Sequence, residues 1–575
     1  MTAFVKVNNG AWNVASSWDV GVGWPSSSAD TATIGTFATE IPSAVSITCG
    51  AITMTGTNSS SRSELTINGS LTLAGAMTLN SYTTLIFGPS FIIDINGNSI
   101  LWVNSGASIN RVTSNTTAAN RGTIKSTATG GNIYRAAGVQ SMDGTLKYID
   151  FTDIGLIQMG SNFNAGDNFD ASWNTFTGCD TVTLGGYREG SGDLIIEHND
   201  FRNSTATTNA SILSSRLNGT DTGTYSMKYN TWNCPNKVAR FEYDIDVTGS
   251  VFIETTPSSV LTGTKVYNSL FVYSTASTNL PAFATSTANG TYVYTNFTSH
   301  TVENMIGTFE YGVVEADYYH LTDFADHFIL STTGSLTVQY TVVLDARGGV
   351  LLNALGTAKT GTYQAIHNTL VGQFVDNAYG FLARTESGGS FAGTLNLHSN
   401  IVYDASAQAG SLGINMDAGT PPDDMVTFMD MNNWYNIEDP YHGVTSATKT
   451  PGVTAGYGGN DTTHNPNFYD PTRNIATWDA TYGSGTGTAA AAAAHFLKLN
   501  GYNAGSKTQV TGDIITVSPA DLTTWVRAGY APTNITLKDA GYDGITVGAV
   551  EYKALAIYGA RGLTQRMKKR RSMKW

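Results

Sequence analysis

Along the middle of the chain, apolar and polar positions follow one recurring frame. It runs apolar, two variable residues, a slot usually filled by asparagine, one residue, then a second apolar or aromatic position. Asn174/Phe176, Asn199/Phe201, Asn230/Trp232, Asn268/Leu270, Asn368/Leu370, Asn400/Val402 and Asn433/Tyr435 fill the slot and the second apolar position. Ala171, Ile196, Met227, Ala365 and Leu397 supply the first apolar position, and Lys265 and Asp430 break it. With another residue in the slot the frame recurs at Ile149/Phe151, Ser250/Phe252, Thr295/Phe297, Asp317/Tyr319 and Thr341/Val343. Successive slots lie roughly 26 residues apart, within the range of solenoid repeats.

A strand turns alternate side chains to opposite faces, so apolar positions five apart share one core only if the chain bends between them. The slot falls in that bend. Asparagine suits it by tolerating left-handed backbone and bonding locally, and stacked turns would align the amides as a ladder. The pattern therefore predicts an all-β coil of short strands. A β-sandwich array with asparagine-rich turns is the competing arrangement.

The rest of the chain divides around this shaft. Residues 1–60 read as an N-terminal cap, in which Trp12, Trp18 and Trp24 either cover the open edge of the coil or form a platform for carbohydrate. Short alternating runs punctuated by Asn-Gly, such as Leu65–Ile67 and Ile93–Ile95, begin the shaft of 61–440. The polar stretch 111–145 reads as a loop. Beyond 440 the rhythm stops, and 441–560 reads as a cap or attachment domain. It carries predicted helices at 489–499 and from Pro519 to Val526 and a strand-like stretch over 544–552. Residues 561–575 form a tail.

Composition narrows the compartment. Only 13% of residues are charged, and 61 glycines accompany abundant Thr, Ser and Asn, as in a turn-rich β-protein. Cys49, Cys179 and Cys234 are too few and too scattered for a disulfide framework or zinc motif, so buried thiols are expected. Neither a secretory signal nor a membrane-length apolar run appears, which places folding in a cytoplasm and argues against membrane insertion. Arg561, Arg566, Lys568, Lys569, Arg570, Arg571 and Lys574 concentrate seven positive charges in the tail. Removing them from the net −13 leaves a body near −20. A basic tail on an acidic body points to anchoring on an acidic partner or neighbouring subunit, with nucleic acid ranked last.

Candidate chemistry is sparse. Arg240-Phe-Glu242-Tyr-Asp244-Ile-Asp246 would, as one strand, send Glu242, Asp244 and Asp246 outward in a row. Alternate residues lie about 6.6 Å apart, within reach of a glycosidase pair. The same row suits a solvated acidic face or a calcium site. Glu189, Asp193 and Glu197 form a second acidic group, and Asp423-Asp424 a third without an evident partner. His198, His367 and His398 each precede a slot, and a stacked turn position explains them better than a metal. The sequence implies neither cofactor nor metal.

Asn465-Pro-Asn-Phe468, Asp470-Pro-Thr-Arg-Asn474, Arg527-Ala-Gly-Tyr-Ala-Pro-Thr-Asn534 and Asp539-Ala-Gly-Tyr-Asp-Gly544 with Gly548-Ala549 resemble right-handed, single-stranded parallel β-helix proteins of tailed-phage and prophage structural modules. The opening Trp18…Pro25…Asp30-x-Ala32-x-Ile34 also resembles the start of several β-helix proteins. The resemblance implies a virion component assembled in the host cytoplasm, often a homotrimeric tail spike, tail fibre or surface decoration. Its implied partners are other virion proteins, further copies of itself and host surface polysaccharide. It supplies no catalytic motif. A tailspike depolymerase acting through Glu242 with Asp244 or Asp246 is the alternative from another class, and a bacterial surface adhesin is a third.

Overall fold

The computed structural model describes residues 2–102, the strands and tight turns between 107 and 482, and 519–554; many connecting loops and residues 483–518 and 555–575 lie outside the described residues. The large sheet is parallel throughout, apart from isolated bridges. Through most of the chain each strand pairs with the strands three before and three after it. Ser63–Ile67 pairs with Ala38–Ile41 and Thr83–Phe87, and Ser70–Leu73 pairs with Ser46–Cys49 and Ile92–Asp94. Parallel neighbours separated by two other strands require a chain that coils, and that arrangement is a parallel β-solenoid with three faces. The sandwich alternative, built on antiparallel hairpins, is thereby excluded.

One circuit runs Leu194–Glu197 on the first face, Asp200–Arg202 on the second and Ser211–Arg216 on the third. The third-face strands from Ile329–Ser331 to Asp439–His442 continue as a separate five-stranded parallel sheet. Inside the coil one apolar core runs from Phe4 to Tyr457. It contains a column of stacked rings, Phe151, Phe176, Phe201, Trp232, Phe252 and Phe271, with centroids 4.5–5.7 Å apart. These are the aromatic positions two residues after the slots. Parallel pairing brings them into register, so rings stack over rings.

Several sequence expectations change. The polar stretch 111–145 is not all loop: Gly122–Lys125 and Asn132–Arg135 are strands whose inward Ile124 and Ile133 extend the core. Residues 544–552 form no strand; glycines at positive φ (Gly544 +78°, Gly548 +101°) break the extended backbone. Helix α1 spans Ile475–Tyr482, which the sequence reading did not anticipate, and α2 spans Pro519–Gly529. The helix expected over 489–499 lies outside the described residues. At the other end, Trp12 and Trp18 are buried and meet edge to face at 5.1 Å, while Trp24 is 37% exposed. Three exposed indoles are therefore not available as one platform. The Ser17–Asp19 segment instead lies along the edge of Ala3–Val5: Val5 N donates to Asp19 Oδ1, Asp19 N to Val5 O and Val7 N to Ser17 O.

Candidate functional site

The corner between the first and second faces carries the slots, and hydrogen bonding there is nearly repetitive. Asn199 is fully buried: its Oδ1 accepts from Asn174 N at 3.0 Å, and its Nδ2 donates to Ala171 O at 2.7 Å and to Asn230 Oδ1 at 3.1 Å. Asn174, Asn230, Asn368 and Asn400 repeat the contact to the carbonyl three residues before the preceding slot. Each amide thus satisfies a donor and an acceptor that the bend removes from the sheet ladder.

Thr295 and Asp317 lie within second-face strands and not at the corner, and two of the expected asparagine slots are one residue out of register. Asn433 is the first residue of the next strand; Asn432 holds the slot, accepting from Asn400 N and donating to Leu397 O. Asn268 is exposed at φ +51°, and Ser269 holds the slot, accepting from Ser250 N at 3.2 Å. The left-handed backbone also belongs elsewhere than expected. It falls on the residue before the slot: Tyr148, Trp173, His198, Tyr229, Gly249, Asn268, Tyr340, His367, Ser399 and Met431 all have positive φ. The slot itself supplies the amide, and its predecessor the reversal.

Those left-handed residues form a second, outer aromatic column. Trp173 stacks between Tyr148 (6.0 Å) and His198 (3.6 Å), and His198 continues to Tyr229 (5.0 Å). Farther along, Tyr311, Tyr340 and His367 stack at 4.9 and 5.2 Å. His198 and His367 are thus stacked corner residues, whereas His398 ends the strand Thr394–His398 and meets His367 edge to face at 6.2 Å. Beside the first column Arg121 ties three circuits together, donating to Asp150 Oδ1, Trp173 O and Thr175 Oγ1.

Next along the second face, Asp200 is buried against Arg202, and burial raises its carboxyl above the usual range despite that guanidinium. Of the second acidic group, Asp193 and Glu197 are partly exposed at opposite ends of the strand Leu194–Glu197, and Glu197 meets the Ser226 hydroxyl. Glu189, Asp423 and Asp424 lie outside the described residues.

The proposed acidic row does not form one strand. Thr231–Glu242 ends at Glu242 and Asp246–Thr248 begins at Asp246. Glu242 pairs with Arg216 on the third face, whereas Asp246 pairs with Lys265 on the first. The two residues therefore belong to strands on different faces, and simple alternation does not relate them. Asp244 and the side chains of Glu242 and Asp246 lie outside the described residues, as does the basic tail with Arg566, Lys568, Lys569, Arg570, Arg571 and Lys574.

The corner between the second and third faces holds an open cleft of about 400 Å³. The Ser126–Gly130 turn overhangs the tighter turns at Asp153–Gly155 and Gly178–Asp180, so Asp153 and Asp180 line it. Cys49, Cys179 and Cys234 are buried and form no disulfide, and burial pushes Cys49 and Cys179 up to about 12, which leaves those two thiols inert. Among the described residues no group of three His, Cys, Asp or Glu side chains could hold a metal, and no helix is long and apolar enough to cross a membrane.

On the C-terminal half of the second face, the outward position after the slot is apolar in four circuits: Val251, Leu270, Val313 and Val342. These residues pack with Ile475 and Trp478 of α1 and Leu522 and Val526 of α2 into a second core. Sequence reasoning missed this contact surface, although it left a signal. Val251-Phe-Ile253, Leu270-Phe-Val272 and Val342-Val-Leu344 are unbroken apolar runs, which strands show when both faces are covered.

Comparison with known proteins adds no relative: no family model, curated protein or solved structure matches this chain.

Proposed function

We propose that this protein is a structural component of a tailed-phage particle, a spike, fibre or surface decoration whose coil is a right-handed parallel β-helix closed at both ends. The observation that carries the reading is the way rigidity is built. Buried amides and two aromatic columns run parallel to the axis, and the C-terminal helices pack along the shaft. Such a shaft resists bending and presents polar sides for contact with host glycan or other virion proteins. The motifs between 465 and 549, which resemble phage β-helix modules, supply the viral context. Homotrimerisation and anchoring by the basic tail belong to the same proposal. Immunogold labelling of purified particles tests it: regular labelling at one morphological position is expected, and particles free of the protein would refute it.

A depolymerase is the second reading, favoured by the cleft that places Asp153 and Asp180 on the shaft side. Incubation with host capsule or lipopolysaccharide, followed by a reducing-end assay, separates the two. Release of new ends by the intact protein, abolished in Asp153→Asn or Asp180→Asn, would replace the structural reading with an enzymatic one.

A further inference from the structure

The outer aromatic column ends at a contact that corner packing does not require. His367 is completely buried, its ring stacked on Tyr340 at 5.2 Å. Nδ1 lies 3.0 Å from Thr546 O and Nε2 lies 3.0 Å from Asp543 Oδ1. Both neighbours belong to the irregular segment 539–552, about 180 residues away in sequence. A carbonyl oxygen can only accept a hydrogen bond, and an ionised carboxylate can only accept. Asp543 Oδ1 offers an acceptor there, with 45% of the side chain in water. A neutral imidazole has one N–H and would leave its other nitrogen's lone pair facing an acceptor.

We infer that His367 is an imidazolium clasp, fixing segment 539–552 to the shaft by donating through both ring nitrogens, and that this contact is released when the ring loses its second proton. The segment is held elsewhere mostly by single backbone donors: Tyr542 N to Ser399 Oγ, Gly548 N to Ser399 O and Ala549 N to Thr369 Oγ1. None of these carries a charge on the shaft side. Position 541 is also intolerant of bulk, since a Cβ there would lie 2.8 Å from the His367 ring.

The other titratable groups around the ring are consistent with one positive charge. From the preceding circuit comes the Tyr340 hydroxyl, and from the following one His398, whose ring meets His367 edge to face at 6.2 Å. Burial, and then the charge on His367, hold His398 down to about 4, so it stays neutral. From the segment itself come Asp543, Tyr542 against His398 (5.0 Å), and Glu551, which accepts from the Thr546 hydroxyl. The ring therefore meets one carboxylate directly, that of Asp543, and Glu551 reaches the same segment through the Thr546 hydroxyl.

The test follows amide hydrogen exchange of residues 541–549 in the intact protein between pH 5 and 9, corrected for the intrinsic pH dependence of exchange, beside ¹⁵N shifts of labelled histidine rings. Wild type should show a rise in corrected exchange of about tenfold or more as the His367 ring signal moves from imidazolium to neutral. Asp543→Asn should dock at all pH values, because a carboxamide can donate to a neutral Nε2 while Nδ1–H keeps Thr546 O; its exchange should be flat with pH. His367→Gln, which offers donors in one direction only, should exchange fast throughout. Wild-type exchange independent of pH, or the same pH dependence in Asp543→Asn, would overturn the proposal.

Discussion

The two halves of the second face share an interior and differ outside. Both bury the residue two positions after the slot, as stacked rings down to Phe271 and then as Val343, Leu370 and Val402, and both carry slot side chains that hydrogen-bond at the corner. Outside, Asp150, Thr175, Asp200 and Thr231 follow the slots in the first half, where Val251, Leu270, Val313 and Val342 follow them in the second. Only the second half carries α1 and α2. The inner pattern therefore determines that the chain coils, and the outer pattern determines what docks on the coil. Where the outside is apolar the amide ladder also thins: Ser250 and Ser269 replace asparagine and accept at 3.3 and 3.2 Å, against 2.9–3.0 Å for most asparagine contacts.

The sharpest way to break the comparison is to make the second half resemble the first. Val342→Asp would place a charge in the second core with no partner. It should cost about 4 kcal/mol or more and free α1 and α2, seen as a lowered unfolding midpoint and new proteolytic cuts in 475–529. Unchanged protection of the helices would show that the outer apolar strip does not hold them.

Interior contacts come next. Asn199→Ala leaves Asn174 N without its acceptor and removes donors from Ala171 O and Asn230 Oδ1. The loss should be about 3 kcal/mol, read from denaturant midpoints. A change below about 0.5 kcal/mol would show that the amide is not needed.

The end of the ladder offers a pH test. Asp461 takes the place of the next amide, with Oδ1 accepting from Asn432 N and Oδ2 from Trp434 Nε1 and the Tyr441 hydroxyl. Burial raises its carboxyl to about 6 despite those bonds. A folded value above the unfolded one means that the proton is bound more tightly in the native state. The resulting stabilisation is fully present below the usual carboxylate value, and it is lost as pH rises through 6. The two-unit rise corresponds to about 2–3 kcal/mol. Stability against pH should fall by that amount between pH 4 and 6.5 in wild type relative to Asp461→Asn. Parallel curves would remove Asp461 from the account.

The smallest expected effect separates the slot from its neighbour. Asn268 is exposed and left-handed, so Asn268→Gly should change stability by less than about 0.5 kcal/mol. A loss comparable to that of Asn199→Ala would mean that the register assigned to Ser269 is wrong.

These contrasts also explain what was legible. The inner face was readable because core positions recur at fixed offsets from the slot, and the coil, its corner and most of the amide column follow from that. Register failed at Asn268 and Asn433 because in each case the chain offers a second polar residue alongside, Ser269 and Asn432, and an offset of one is invisible without the hydrogen bonds. The left-handed position escaped notice because aromatic residues such as Tyr148 and Trp173 occupy it, held there by stacking against their own tendency. The Glu242–Asp246 row failed for a related reason, since alternation cannot reveal where a strand ends and a corner begins. The clasp was beyond reach because His367 and Asp543 are 176 residues apart and meet only through folding.

The most direct test of the coil is a crystal structure of residues 146–440 in the context of the full chain, refined at a resolution that fixes the side-chain amides. The account predicts that the Asn199 carboxamide lies inside the corner, with Oδ1 about 3.0 Å from Asn174 N and Nδ2 about 2.7 Å from Ala171 O. Asn199 turned to solvent, or Asp200–Arg202 paired antiparallel to its neighbours, would contradict it.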